Sequence, residues 1–174
     1  MISLIDNYFK ITKIASVTDA KNGLYISCSP GTKTSLETDI SMIKHSQIDV
    51  VVCTMEWYEL VHLGLVGYPE SIQSKGILFY HFPIRDMTAP SCQTIDIITN
   101  IIVNHLLNGK NVLVHCYQGL GRSGLICACC LVRLGLTDLK SIELVRKFRR
   151  GAIITNQQKE SVIYYHNHIK KIKI

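Results

Sequence analysis

This 174-residue sequence predicts an α/β fold of three layers: a mainly parallel central sheet with helices on both faces. Three observations carry the prediction. Asp49 to Cys53, Ile77 to Phe82 and Asn111 to His115 are short apolar runs without polar alternation, as strands buried on both faces are. Stretches between them carry apolar residues at helical spacing: Leu36, Ile40 and Ile43, then Ile95, Ile98, Ile102 and Leu106. Strands and helices that alternate along a chain build a parallel sheet covered on both sides.

Residues 1 to 33 are loosely patterned; Ile11 to Val17 and Leu24 to Ile26 read as two edge strands, with Pro30-Gly31 as a turn. Thr34-Ser35-Leu36-Glu37 has the form of a capping box and opens a helix. The run from Asp49 to Cys53 is a core strand, and a short helix follows around Trp57 to His62. Gly64, Gly67 and Pro69 break that helix, and a brief one restarts at Pro69. Ile77 to Phe82 is a third core strand, stopped by Pro83. After the loop from Ile84 to Pro90, Ser91 caps a helix that ends at Asn108-Gly109. Asn111 to His115 is a strand. A helix runs from Ser123 to Gly135, another from Thr137 or Asp138 to about Arg150, and Thr155 opens the last.

Length and composition describe one globular domain over residues 1–174, large enough to bury a core without disulfides. Apolar residues make up 47% of the chain, too many for a disordered protein, and no apolar run reaches membrane-spanning length. Met1 to Asp6 lacks the charged and apolar regions of a signal peptide, so a cytoplasmic or nuclear location is expected. Seven cysteines, an odd number without zinc spacing, are expected as free thiols, and no metal or cofactor is expected. The net charge of +6 favours acidic or phosphorylated partners.

The stretch that stands apart is His115-Cys116-Tyr117-Gln118-Gly119-Leu120-Gly121-Arg122-Ser123-Gly124. A cysteine ends a strand, a glycine-punctuated loop follows, and an arginine sits where a helix begins. Successive N–H groups of Tyr117, Gln118, Gly119, Leu120 and Gly121, together with the helix N-terminus, would form an anion socket. Arg122 adds a planar fork that can hold two phosphate oxygens. The positive field favours the thiolate of Cys116, the form that attacks. Gly119 to Gly124 also matches G-x-G-x-x-G, but a dinucleotide fold needs a further strand ending in an acid about twenty residues on. Leu136 to Lys140 reads instead as a turn and a helix start.

The C-x5-R-S loop in this setting resembles the signature of the cysteine-dependent protein phosphatases. The wording His-Cys-Tyr-x-Gly-Leu-Gly-Arg-Ser is similar to that of the cyclin-dependent-kinase-associated dual-specificity branch (the cyclin-dependent kinase inhibitor 3 family), which has cysteine where Gly124 stands. The resemblance runs from Gly23 onward. It implies a protein-tyrosine-phosphatase-like fold, Cys116 as nucleophile, Arg122 as phosphate holder and Asp86 as general acid. It also implies that the Ser123 hydroxyl assists the leaving sulfur. Asp86 lies on a loop after a strand and before Pro90, where a plain turn aspartate would also sit; Ser123 would equally serve as an N-cap. His115 is expected to order the loop rather than move protons.

Thr155-Asn156-Gln157-Gln158 is a capping box, and the resemblance adds a lesser role for Gln157 or Gln158 in orienting the hydrolytic water. Arg146, Lys147, Arg149 and Arg150 read as a solvated helix end. Cys53, ending a strand beside that of His115, is a candidate redox partner for Cys116. The function expected is a monomeric, metal-independent phosphatase of phosphoserine, phosphothreonine and phosphotyrosine, with a kinase activation loop among its substrates. Neither nucleic acid nor membrane is an expected partner. The alternatives are a phosphoinositide or RNA 5′-phosphatase with the same loop chemistry, or a phosphate-binding module without catalysis.

Overall fold

The computed structural model of the chain describes residues 8–17 and 22–172; the opening residues Met1 to Asp6, and with them the leader question, lie outside the described residues. Among the described residues five strands form one sheet: β1 (Thr12–Ser16), β2 (Gly23–Ser27), β3 (Val50–Cys53), β4 (Leu78–His81) and β5 (Val112–His115). Their spatial order is β1-β2-β5-β3-β4. Only β1 runs antiparallel, against β2; the β2–β5, β5–β3 and β3–β4 pairs are parallel.

The runs Val50 to Cys53 and Val112 to Val114 have no polar positions because both faces of the sheet are covered. Val50, Val52, Val112 and Val114 belong to one core with Ile98, Ile102, Leu125 and Val162. Val51, Cys53 and Leu113 belong to another with Ile43, Leu60, Tyr68 and Ile72. Alternate residues of a strand point to opposite faces, so each strand feeds both cores. The second core is covered by α1 (Leu36–His45), α2 (Trp57–His62) and α3 (Tyr68–Gln73). The first is covered by α4 (Cys92–Leu107), α5 (Gly121–Arg133), α6 (Asp138–Phe148) and α7 (Asn156–Ile172). Helix α5 lies at the middle of that layer, against α4, α6 and α7, and is buried from Gly121 to Val132.

Three expectations are corrected. Strand β2 is not an edge: it lies between β1 and β5, because the antiparallel β1 covers its free side. Strand β4, read as a core strand, is an edge with Leu78 half exposed. Helix α5 starts at Gly121 rather than Ser123, and Leu120 stands at its N-cap position with no side-chain cap. Elsewhere the caps are those of the sequence to within a residue: Ser35 accepts from Thr38 N–H, Ser91 from Thr94 N–H and Thr137 from Lys140 N–H. Among the described residues no helix is long and apolar enough to cross a membrane.

Candidate active site

The carboxyl ends of β3 and β5 lie side by side, with Cys53 opposite His115 in the register. Ligands of parallel sheets bind at this rim, where successive strands send their loops apart. From β5 the chain makes the tight loop Cys116 to Leu120 and enters α5. The loop is held from outside by its carbonyls. Tyr117 O accepts from Ser29 N–H at 2.9 Å, and Leu120 O accepts from Ile153 N–H at 3.1 Å. Gln118 O and Gly119 O accept from the guanidinium of Arg149 at 3.0 and 3.1 Å. In a trans peptide the C=O of one residue and the N–H of the next point in opposite directions. Tying these four carbonyls outward therefore turns the N–H groups of Gln118, Gly119, Leu120 and Gly121 into the hollow of the loop. The N-terminus of α5 adds its positive end to the same point.

Gly119 is required for this path. Its φ is +70°, and a Cβ there would lie 2.3 Å from Ser27 O, closer than any side chain can approach backbone. The loop can turn this tightly only where β2 passes against a residue with no side chain.

Cys116 is 3% exposed, and its Sγ lies 3.2 Å from the Ser123 hydroxyl. Ser123 is thus inside the first turn of α5, engaged with the sulfur, and does not cap the helix. Arg122 is 1% exposed, yet its charge is fully engaged. Its two terminal nitrogens donate to the two carboxylate oxygens of Glu59, at 2.5 and 2.9 Å. One also donates to Ile84 O at 3.1 Å, and the other lies 3.1 Å from Asp86 Oδ1. The remaining donor, Nε–H, is buried and has no hydrogen-bond partner among the described residues. An unmet buried donor costs roughly 1–3 kcal/mol, more when charged, so this nitrogen is built to receive an acceptor. Asp86 sits beside this group with its side chain more than half exposed, on the loop that leaves β4.

The chain shows its kinship at this loop. Residues 23–136 match the family described as "Polymorphic toxin system, DSP-PTPase phosphatase". The chain belongs to that DSP-PTPase phosphatase family. It is 32% identical over 127 residues to cyclin-dependent kinase inhibitor 3 of Rattus norvegicus, covering 71% of this chain and 60% of the relative. The fold is similar to that of a kinase associated phosphatase with a serine substituted for its catalytic-site cysteine. That match has a TM-score of 0.83 and 24% identity, over 94% of this chain and 96% of the other. It is also similar to the active form of Tk-PTP, with a TM-score of 0.74 and 29% identity over 87% and 97% of the two chains.

Within this family member the signature histidine is structural. His115 is fully buried. Thr54 donates both its N–H and its hydroxyl to His115 O, at 3.0 and 2.9 Å, which fixes the backbone just before the cysteine. His115 Nδ1 lies 3.4 Å from Cys116 O, which can only accept, so Nδ1 carries the proton. Nε2 is then the acceptor for the Tyr68 hydroxyl 3.1 Å away, and burial pushes that phenol well above its ordinary range, so it stays a donor. Burial likewise lowers the His115 pKa from its ordinary 6.5 to about 4. The unfolded chain therefore takes up this proton near pH 6.5 and the folded chain only near 4. Stability from the neutral imidazole is complete above that range and is lost as pH falls through it. The gap between wild type and His115→Phe in urea unfolding should narrow between pH 7 and pH 4, by roughly 3 kcal/mol at most. An unchanged gap would mean that His115 takes up its proton over the same pH range in the folded and unfolded chains.

Three functional residues had weak or misleading sequence signals. Glu59 lay unmarked in a short helix. Its trace is the pattern Glu56-x-x-Glu59 just past β3, where Glu59 accepts from Glu56 N–H at 2.7 Å as a capping-box residue. Burial works against its charge, but the hydrogen bonds from Arg122 and Glu56 together hold its carboxyl below the usual range. Glu59→Ala leaves a buried guanidinium half paired and should cost roughly 3–5 kcal/mol in urea unfolding, with weaker inhibition by inorganic phosphate. A loss under about 1 kcal/mol, as for a surface pair, would refute this role. Arg149 and Arg146 do not form a solvated helix end: Arg149 holds the loop carbonyls, and Arg146 donates to Ala152 O and Ile153 O at 3.0 and 2.9 Å.

The two glutamines part company. Gln158 is fully buried in a capping box: Thr155 Oγ1 accepts from Gln158 N–H at 3.1 Å, Gln158 Oε1 accepts from Thr155 N–H at 3.3 Å, and Gln158 Nε2 donates to Thr88 O of the Asp86 loop. Gln157 is exposed and lines a separate hollow with Pro90, Cys92, Ile95, Glu160, Ser161 and Tyr164. It does not share the site, because adjacent residues of a helix point about a hundred degrees apart. All seven cysteines are free. Cys53 is fully buried, and burial, first among its surroundings, pushes its thiol up to about 12.

Proposed function

We propose that the protein hydrolyses phosphate monoesters of serine, threonine and tyrosine side chains through a phosphocysteine. The observation that carries the reading is the buried, unpartnered Nε–H of Arg122, set in the same wall as Cys116 and a loop whose amides face inward. A bound phosphate supplies the acceptors that these donors lack. In the first step the Cys116 thiolate forms a bond to phosphorus as the P–O ester bond breaks. The Asp86 carboxyl gives its proton to the departing oxygen. In the second, the Asp86 carboxylate takes a proton from water, the water oxygen attacks phosphorus, and the sulfur leaves. The Ser123 hydroxyl, 3.2 Å away, donates toward that sulfur.

A protein substrate is favoured over a phosphoinositide by the rim. No lysine or arginine stands between Cys116 and Arg122 to hold further phosphates. Besides the exposed Arg85 and Gln118, apolar residues are exposed next to site residues: Trp57 and Tyr58 before Glu59, Met87 after Asp86, and Tyr117 after Cys116. Such side chains suit the apolar body of a peptide better than a polyanionic headgroup. A kinase activation loop is the candidate substrate, by similarity to the rat kinase inhibitor. Phosphate release should be measured from phosphopeptides, phosphoinositides and 5′-triphosphorylated RNA. Turnover of phosphothreonine and phosphotyrosine peptides supports the reading, and preference for either other class replaces it. No turnover of any class, with phosphate still bound, leaves a binding module.

The pairing of Cys53 with an oxidised Cys116 belongs to this proposal. Peroxide treatment followed by non-reducing peptide mapping should yield a Cys53–Cys116 disulfide, and Cys53→Ser should lose recovery by thiol. Cys116 oxidised alone would end it.

A further inference from the structure

The loop that carries Asp86 cannot hold its own shape. Arg85 to Thr88 is a turn: Thr88 N–H and Thr88 hydroxyl both reach back to Arg85 O, at 3.3 and 2.8 Å. Asp86 and Met87 are its central residues, and Met87 has φ +59°. A turn with positive φ at its third residue calls for glycine or asparagine there. Methionine in that conformation stores strain, which persists only when the surroundings enforce it. On the protein side the turn is gripped at two places. Asp86 lies 3.1 Å from Arg122, and Thr88 O accepts from Gln158 Nε2 at 3.2 Å.

Gln158 is suited to this grip by what holds its other end. Its Oε1 accepts from Ile154 N–H at 2.9 Å and Thr155 N–H at 3.3 Å, so the amide cannot turn over without losing both bonds. The amide also lies against the phosphate loop: a Cβ at Gly121 would be 3.0 Å from Nε2 and 3.3 Å from Oε1. Ile153, two residues before Thr155, has φ +60° and donates its N–H to Leu120 O, so the segment that orients Gln158 is itself pinned to the loop. The first contact with the turn, through Arg122, competes with phosphate for the guanidinium. The second, through Gln158, does not.

We propose that Gln158 is the positioning residue of the general acid: through Thr88 O its amide holds the strained Arg85–Thr88 turn so that Asp86 stays over the leaving oxygen while phosphate occupies Arg122. The inference rests on the acid role assigned to Asp86 above. It assigns Gln158 to the acid loop rather than to the hydrolytic water.

Gln158→Glu is the informative variant. A carboxylate keeps both acceptor contacts to Ile154 and Thr155 but has no donor for Thr88 O. Single-turnover rates on an alkyl phosphate should fall at least roughly tenfold, short of the hundred- to ten-thousand-fold of a lost general acid. Rates on p-nitrophenyl phosphate, whose leaving group needs no proton, should stay within about twofold, and so should inhibition by inorganic phosphate. Adding Gln158→Glu to Asp86→Asn should cost nothing further, since both act through one proton transfer. Met87→Gly, at ease at positive φ, should restore part of the loss by letting the turn hold itself. Gln158→Met, neutral and lacking both donor and acceptor, repeats the rate comparison if the charged variant folds poorly. Equal losses on both esters, or a further loss on top of Asp86→Asn, would overturn the proposal. If Asp86→Asn alone shows no leaving-group dependence, it is the acid assignment that fails.

Discussion

Cys116→Ser should abolish turnover and keep phosphate binding. The Oγ of serine is a far weaker acid than a thiol, so the nucleophile is not ionised. Removing the nucleophile from a covalent mechanism costs on the order of a millionfold in kcat. The inward N–H groups, Arg122 and Glu59 do not depend on the sulfur, so the socket persists. Inorganic phosphate or a phosphopeptide should bind Cys116→Ser by calorimetry within a few-fold of its affinity for the wild type, and no phosphoenzyme should be trapped by acid quench. Residual metal-independent activity above the background of the buffer would remove Cys116 from the mechanism.

Asp86→Asn is expected to have the next largest effect, roughly a hundred- to ten-thousand-fold on esters of serine and threonine. An alkoxide is a poor leaving group and must receive a proton as the P–O bond breaks. Asparagine has nearly the shape of aspartate but cannot give that proton. A p-nitrophenolate leaves without help, so in a single turnover the loss on p-nitrophenyl phosphate should be much smaller. If the two esters lose equally, another group protonates the leaving oxygen.

How much of this was legible in the residues depends on the range of the interaction concerned. The cysteine, the loop and the arginine of the proposed socket were legible because the arrangement is local. Seven consecutive residues from Cys116 to Arg122, between a strand and a helix, can do little else so well as circle an anion. The caps Ser91 and Thr137 were legible for the same reason, each reaching only three residues along the chain. The short helix at Trp57 was legible too, but the task of Glu59 was not, since its partner Arg122 is 63 positions away.

The sheet divides in the same way. Apolar runs with β-branched residues determined that β3 and β5 are strands buried on both faces. They did not determine that β4 is an edge and β2 is not, because edge or interior is decided by which strand lies alongside. The roles of Arg146 and Arg149 were hidden by a helix end that favours positive charge whatever it touches. Gln158 read as a cap, correctly, but the other half of its amide works 70 residues back in the chain, on Thr88.

The sequence by itself thus determined the fold class, the position of the socket on it and which residues are proposed to attack and to hold phosphate, all of which follow from patterns shorter than one strand–loop–helix unit. The tertiary structure alone decided what keeps Arg122 charged while buried, what turns the loop amides inward, and what supports the Asp86 turn. Each of these is a hydrogen bond between residues about 30 or more positions apart. Such bonds leave no periodicity in a sequence, because they depend on where the whole chain has come to rest.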